Sequence, residues 1–506
     1  MIKCVRVLAA AALLVFCLQV FSDNKADVDL WGNLGFVTAL PGTPGFHWTN
    51  TFSFTEPNHA WVNHEWLSQY LLRQVYDLGG DPGLLLLKAL LGLALVLLMH
   101  ESMRRDNVSP PIRWLFLLLA VSTIGYGFST RPHLFTYLLY ASFLFLLRHH
   151  AHRITLILLI PLLGLLWVNL HGAFFIGIVL LSLFVLLESI TGIARPDQQR
   201  PLRQLVVLLG ALVIFLGLTF VNPYGQRLWS FVFESAGKPR PYLSEWAPLN
   251  PLAHFASHVD FLMLSLLSVL AVFKGGQKRD PTWMTILGIS FLAAWLMRRN
   301  IPLFAITAAF VVPARASEWA GRRVQAMFAA VPAPVAAGVL VLAIMVSAWF
   351  TLHFNKTAPR RIEVPQDRFP SEIVEFMSQS GLRGNALVFF DWAELCIWKL
   401  HPRCSVFLDG RFTDAYSAKV VDDYLNFLYR GSNWDDTLSN YPVDILLIHT
   451  GNPVFENMSR RDDWQIVCTN RIAGLFLKKS EHQAFFARLQ SGEIAPATAR
   501  KEVFFP

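Results

Sequence analysis

Over its first 350 residues the chain is written in long apolar blocks separated by short polar ones, without the alternation of a strand or the one-sided stripe of a surface helix. The blocks fall at about 5–21, 83–99, 114–129, 134–147, 154–169, 173–190, 205–221, 259–273, 282–297, 301–314 and 326–349. An apolar run of about 20 residues spans the hydrocarbon layer as a helix, and shorter ones cross by leaning on neighbours. The pattern predicts about eleven membrane spans. The first block, preceded by Lys3 and Arg6, is either a span or a signal peptide, and Val20-Phe21-Ser22 is a poor cleavage site. On either reading the chain from residue 22 emerges on the outer side.

From about residue 360 the pattern shortens into alternating helices and strands. Ala386–Phe390, Ser405–Asp409 and Asp444–His449 read as buried strands, with helices at about 371–380, 392–400 and 415–430 and a closing hairpin from Trp464–Thr469 and Gly474–Lys478. The expected organisation is an α-helical polytopic membrane domain, 1–350, carrying a long outer loop at 22–82, followed by an extracytoplasmic α/β domain, 351–506. Neither GxGxxG nor GxxxxGK[ST] occurs in the tail. Asp409-Gly410-Arg411 ends a strand, a place for a ligand or for a turn with a structural ion pair.

Composition agrees with the pattern. The 506 residues are 54% apolar and 15% charged, against about 25% charge in a soluble chain. That excludes a soluble enzyme, a disordered chain and a disulfide-rich secreted module. The net charge of +8 does not point to nucleic acid, because the basic residues sit in the short loops that orient a membrane protein. With the N-terminus in the cytoplasm, the inner loops hold Arg104, Arg105 and Arg113; Arg148 and Arg153; Arg195, Arg200 and Arg203; Lys274, Lys278 and Arg279; and Arg315, Arg322 and Arg323. The segments 22–82 and 222–258 and the tail then lie outside the cytoplasmic membrane. Cys4 and Cys17 lie in the first block, and any two of Cys396, Cys404 and Cys468 could pair in an oxidising compartment.

The charges that orientation leaves unexplained map to the outer face. Arg131, Arg298 and Arg299 lie in short outer turns, where a guanidinium either snorkels to headgroups or grips an anionic group such as a lipid phosphate. Asp27 and Asp29 follow the first span, where carboxylates are costly unless solvated, paired or used. A DxD pair can ligate a metal on a nucleotide sugar, but such donors are cytosolic, whereas a sugar on a polyprenyl phosphate lipid is available outside. Either aspartate could be the general base for an acceptor hydroxyl, or a helix N-cap. His64 and Glu65 lie beside Trp61 and Trp66, where they could position an acceptor, join the aspartates around a divalent metal, or face water. His171 and Glu245 are further candidates for positioning the acceptor.

Together these residues resemble the GT-C glycosyltransferase superfamily, nearest to bacterial protein-mannosyltransferase-like and lipopolysaccharide sugar transferases. The resemblance rests on Asp27-Val28-Asp29-Leu30-Trp31 and His64-Glu65-Trp66-Leu67, with Thr130-Arg131-Pro132-His133, Asn169-Leu170-His171-Gly172, Arg299-Asn300-Ile301-Pro302, Phe389-Phe390-Asp391-Trp392 and Leu408-Asp409-Gly410-Arg411. It implies inverting transfer from a polyprenyl-phosphate sugar to a lipid, glycan or protein acceptor, with the catalytic acid of the first outer loop falling on Asp27 or Asp29. Protein mannosyltransferases carry adjacent Asp-Glu there, whereas this chain has Asp-Val-Asp. A transporter or lipid flippase is the alternative, although the chain shows no clear internal repeat. A non-catalytic envelope assembly protein is another.

Overall fold

The computed structural model describes residues 2–22, 24–37, 39–194, 201–237, 243–253, 255–275, 280–354, 361–494 and 504–505. Arg195, Arg200, Lys278 and Arg279 of the expected inner loops lie outside the described residues. The chain is mostly helical, 65%, with one small sheet among the described residues. In chain order the helices begin α1 Ile2–Phe21, α2 Leu30–Gly35, α3 Trp66–Arg105, α4 Pro110–Gly125, α5 His133–His150, α6 Leu156–Leu170 and α7 Phe174–Ala194. They continue α8 Leu202–Leu218, α9 Arg227–Gly237, α10 Val259–Lys274, α11 Pro281–Leu296, α12 Ile301–Ala330 and α13 Ala333–Phe354. The tail adds α14 Ser371–Gln379, α15 Ala393–Leu400, α16 Ala418–Tyr429, α17 Asp436–Asn440, α18 Pro453–Ser459 and α19 Gln483–Gln490.

The chain divides into two compact units: Met1–Asp23, Leu84–Gly225 and Pro239–Pro359 form one, and Asn24–Gly83, Gln226–Lys238 and Arg360–Pro506 the other. In the first, every apolar block of the sequence is helical, because a backbone inside hydrocarbon must satisfy its own hydrogen bonds. Among the described residues five helices are long and apolar enough to cross a membrane: Cys4–Phe21, Trp66–Arg105, Phe174–Ala194, Arg298–Ala330 and Ala333–His353. Four more are apolar but shorter, Pro110–Gly125, Leu156–Leu170, Leu202–Leu218 and Pro281–Leu296. The chain is a multi-pass membrane protein.

α12 is the centre of this unit. It packs against α4, α5, α10 and α11, and Ala305, Ala308 and Ala309 on it are fully buried, small enough for close helix approach. It does not stop near residue 314, where the apolar block ends. The helix runs on through Arg315, Arg322 and Arg323 to Ala330, since Ala, Arg and Glu are good helix formers and Pro313 is tolerated among packed neighbours. α13 starts correspondingly later, at Ala333; it packs on α1 and presents Val339, Leu342, Met345 and Val346 outward. Of the basic loop residues, Arg104 and Arg105 pair with Glu101, and Arg148 pairs with Asp106 at 2.6 Å.

The second unit joins the first long loop to the tail, so the compact division differs from a boundary near residue 350. Its sheet contains β1 Gly384–Val388, β2 Cys404–Val406, β3 Ile445–His449, β4 Trp464–Thr469 and β5 Ala473–Lys478, in the order β2-β1-β3-β5-β4. β1 runs parallel to both β2 and β3, while β5 is antiparallel to β3 and β4. The loop shields the β2 edge: Val406 N donates to Phe52 O at 3.0 Å and Phe54 N to Val406 O at 3.3 Å. α2 packs on α15, and fully buried Trp31 lies against Phe369 and Phe505. All five cysteines are free, so none of Cys396, Cys404 and Cys468 pairs with another. Burial pushes the Cys404 thiol up to about 11 and that of Cys468 to about 12.

Candidate functional site: carboxylates at the carboxyl ends of the parallel strands

In an open α/β sheet ligands gather beyond the carboxyl ends of the strands, where successive connections leave in opposite directions. β1, β2 and β3 have that arrangement, with β1 between the other two. Asp391 and Glu394 follow β1, Asp409 and Arg411 follow β2, and His449 ends β3. The loop of the same unit contributes Asp27 and Asp29.

Asp409 and Arg411 form a buried bidentate ion pair. The guanidinium donates to both carboxylate oxygens, at 2.9 and 2.7 Å, and to Asn50 Oδ1 at 2.7 Å. Tyr416 donates its hydroxyl to Asp409 Oδ2 at 2.6 Å. The rings of Phe36, Phe52 and Trp61 surround the guanidinium at 4.7, 5.2 and 4.5 Å, which replaces lost hydration with cation–π contact. Burial by itself would raise the Asp409 carboxyl, but the adjacent Arg411 charge and its hydrogen bonds hold it below the ordinary aspartate range. The strand-end Asp-Gly-Arg is thus a structural ion pair, and it clamps residues 36–61 to the tail within this unit.

Beside the pair lies the acidic group. Asp29 N donates to Asp27 Oδ1 at 3.1 Å, and both side chains are half-buried. Asp29 occupies the N-cap position of α2 without making the side-chain cap bond. That role falls to Glu394, whose Oε2 accepts the Gly32 N–H at 3.0 Å. Glu394 is 5% exposed, and burial, with the charges of Asp29 and Asp409 adding to it, pushes its carboxyl well above the ordinary glutamate range. Burial pushes the Asp391 carboxyl above the ordinary aspartate range, with Arg368 and His449 opposing and the Asp27 charge adding to it.

His64 and Glu65 belong to this unit too, with Nε2 and Oε1 3.7 Å apart and the imidazole stacked on Phe231 of α9 at 4.7 Å. Next to them, buried Asn63 donates to Gln69 at 2.7 Å, and Gln69 donates to Asn33 at 3.3 Å, which ties the loop to α2 and α3. Among the described residues no three His, Cys, Asp or Glu side chains form a group able to hold a metal ion.

No family model matches the chain, and neither does any curated protein. Solved structures do. The chain is similar to ArnT from Cupriavidus metallidurans bound to undecaprenyl phosphate, with a TM-score of 0.49 and 12% identity over 93% of this chain and 97% of that one. It is also similar to the arabinofuranosyltransferase AftD from Mycobacteria, again with a TM-score of 0.49, at 13% identity over 93% of this chain and 41% of the larger one.

The other sequence candidates lie in the membrane unit, where Arg131, Arg298 and Arg299 meet on one turn. Arg131 is 3.9 Å from Glu245, the Arg298 guanidinium donates to Ser244 O, and that of Arg299 lies 4.5 Å from the Trp246 ring centroid. His171 is buried in a hydrogen-bonded chain: Trp167 donates to Thr136 at 2.9 Å, Thr136 lies 3.1 Å from His171 Nδ1, and Ala173 N donates to that same nitrogen at 3.1 Å. Asp27, Asp29, His64 and Glu65 thus lie in one unit, and Arg131, His171, Glu245, Arg298 and Arg299 in the other. Glu394 escaped the sequence reading, although a carboxyl inside the apolar run Trp392-Ala393-Glu394-Leu395-Cys396-Ile397 was a signal. Asn50 and Tyr416 carried none.

Proposed function

We propose that this chain is a GT-C-type membrane glycosyltransferase. It moves a sugar from a polyprenyl-phosphate donor to a lipid, glycan or protein acceptor, with inversion, at the extracytoplasmic face of the cytoplasmic membrane. The observation that carries this reading is the placing of Asp27 and Asp29: half-buried, hydrogen-bonded backbone to side chain, in a loop that folds with the parallel strands β1–β3 of the tail. In the reaction, Asp29 or Asp27 takes the proton of the acceptor hydroxyl as its oxygen bonds to the anomeric carbon. The anomeric carbon–oxygen bond breaks, and the electron pair leaves on the polyprenyl phosphate. Arg131, Arg298 and Arg299 of the membrane unit are the groups for the lipid phosphate, since a guanidinium suits such an oxyanion. Basic inner loops, which put residues 22–82 and the tail outside, support the sidedness.

The test is Asp27→Asn and Asp29→Asn, singly and together, assayed in membranes for release of polyprenyl phosphate. Loss of the base lowers turnover by about 10²–10⁴-fold while the variant protein still inserts. Parental turnover in both single variants and in the double variant overturns the assignment.

A further inference from the structure

The turn that meets the outer arginines brings them a negative charge. Ser244-Glu245-Trp246 forms a single short turn in the membrane unit. It is strapped to the chain ahead of α12: Arg298 N donates to Ala247 O at 3.2 Å, and Leu249 N donates to Trp295 O at 2.9 Å. The Arg298 guanidinium donates to Ser244 O, that of Arg299 lies over the Trp246 ring at 4.5 Å, and Glu245 faces Arg131 Nη1 at 3.9 Å. With the Glu245 side chain 43% exposed, such an ion pair adds little to stability. Arg298 Nε is buried and meets no hydrogen-bond acceptor among the described residues, a donor that an oxyanion would satisfy. Three guanidinium charges thus stand around a carboxylate that packing does not call for.

We propose that Glu245 sets the selectivity of this site between donor and product, so that the product lipid is not retained. The inference rests on the reading of Arg131, Arg298 and Arg299 as the groups for the lipid phosphate. The donor is a phosphodiester and carries one negative charge. Transfer breaks its anomeric carbon–oxygen bond and leaves a phosphomonoester, whose charge at neutral pH is about −1.5 to −2. Three arginines by themselves would therefore hold the product more tightly than the donor. A phosphate oxygen that accepts from Arg131 Nη1 lies at most about 7 Å from the Glu245 carboxylate. Like charges at that separation repel even in a solvated site, in proportion to the product of the charges. Glu245 thus weakens binding of the monoester more than that of the diester, with no proton transferred and no movement of the turn.

The experiment measures equilibrium binding to the purified full-length chain in detergent at about pH 7.5, where the monoester is mostly doubly charged. The chains are the parent, Glu245→Gln, Glu245→Asp, Arg131→Gln and Arg298→Gln, after insertion of each has been checked. The monoester probe is undecaprenyl phosphate, and the diester probe is its methyl ester, which carries one charge whatever sugar the enzyme uses. Glutamine keeps the shape of the side chain and removes its charge. E245Q tightens Kd for the monoester about tenfold and for the diester about threefold, whereas E245D, which keeps the charge, stays near the parent. The excess for the monoester shrinks in about 1 M salt, where the screening length is about 3 Å. Equal changes for the two lipids, no change, weaker monoester binding in E245Q, or an excess that salt leaves intact each overturns the inference. Absence of binding by the parent, or unchanged binding in R131Q and R298Q, removes the phosphate-site reading itself. Weakened binding in those two beside an unaltered E245Q removes only the role of Glu245. Should E245Q fail to insert, Glu245→Ala makes the same change of charge and decides.

Discussion

Arg411 is the residue on which the loop–tail unit depends most visibly. The residue is 9% exposed, and its guanidinium makes two hydrogen bonds to a fully buried carboxylate and is ringed by aromatic side chains. Breaking one side of such a pair strands a charge in a low-dielectric site, which costs about 3–5 kcal/mol. Asp409→Asn is therefore expected to lower the thermal unfolding midpoint of the purified chain in detergent. Arg411→Lys lowers it as well, because an ammonium cannot reproduce the fork. The pH dependence follows from the depressed Asp409 carboxyl. Its contribution is complete above the unfolded aspartate range of about 3.9 and disappears as pH falls through the lower folded value. The midpoint gap between parent and D409N should thus close in acid; a gap independent of pH contradicts the account.

Glu394 has the opposite sign. The folded chain holds its proton more tightly than the unfolded chain, so the site loses stability as pH rises above about 4.3, and the loss stops once Glu394 ionises in the fold. E394Q escapes this cost. Its midpoint relative to the parent is expected to rise with pH over that window, by the same unfolding measurement; a falling or level difference would place the proton elsewhere.

At the scale of the element, apolarity alone does not tell a helix that packs from one that faces outward. α12 and α13 are both apolar helices, yet 78% of the α12 window is buried and none of the α13 window is. The sequence does separate them in one respect: α12 places Ala305, Ala308 and Ala309 on its packed side, where small side chains admit neighbouring backbones. Ala308→Phe has to displace a helix and is expected to destabilise by about 1–3 kcal/mol or prevent accumulation. Val339→Phe, on a side chain 60% exposed, should leave both untouched. Comparison of yield and thermal midpoint for the two variants checks this, and equal behaviour would contradict the packing of α12.

For the whole molecule, sidedness is the property on which the proposed reaction depends, because a polyprenyl-phosphate sugar must meet its acceptor where both are present. Ser459→Cys places an accessible thiol on the exposed end of α18. A membrane-impermeant maleimide should label it in intact cells, whereas Arg153→Cys, in the turn between α5 and α6, should label only after permeabilisation. The reverse result would put the tail in the cytoplasm and remove the donor from reach.

The sequence by itself determined that the apolar blocks of the membrane unit are helical, although α12 runs on well past its block, and it located the five strands of the tail to within about three residues. Those features are local: a long apolar run or a short β-branched run is read from adjacent residues, since backbone hydrogen bonding and side-chain period are set over one turn or one pleat. The tertiary structure decided that the loop folds with the tail, that Arg411 is enclosed by rings drawn from residues 36–61, and that Glu394 takes an N–H 362 positions away in sequence. A buried carboxyl has no preferred partner written beside it in the chain. Its proton and its bond are settled only when folding removes water and leaves Gly32 and Asp29 as the groups that remain.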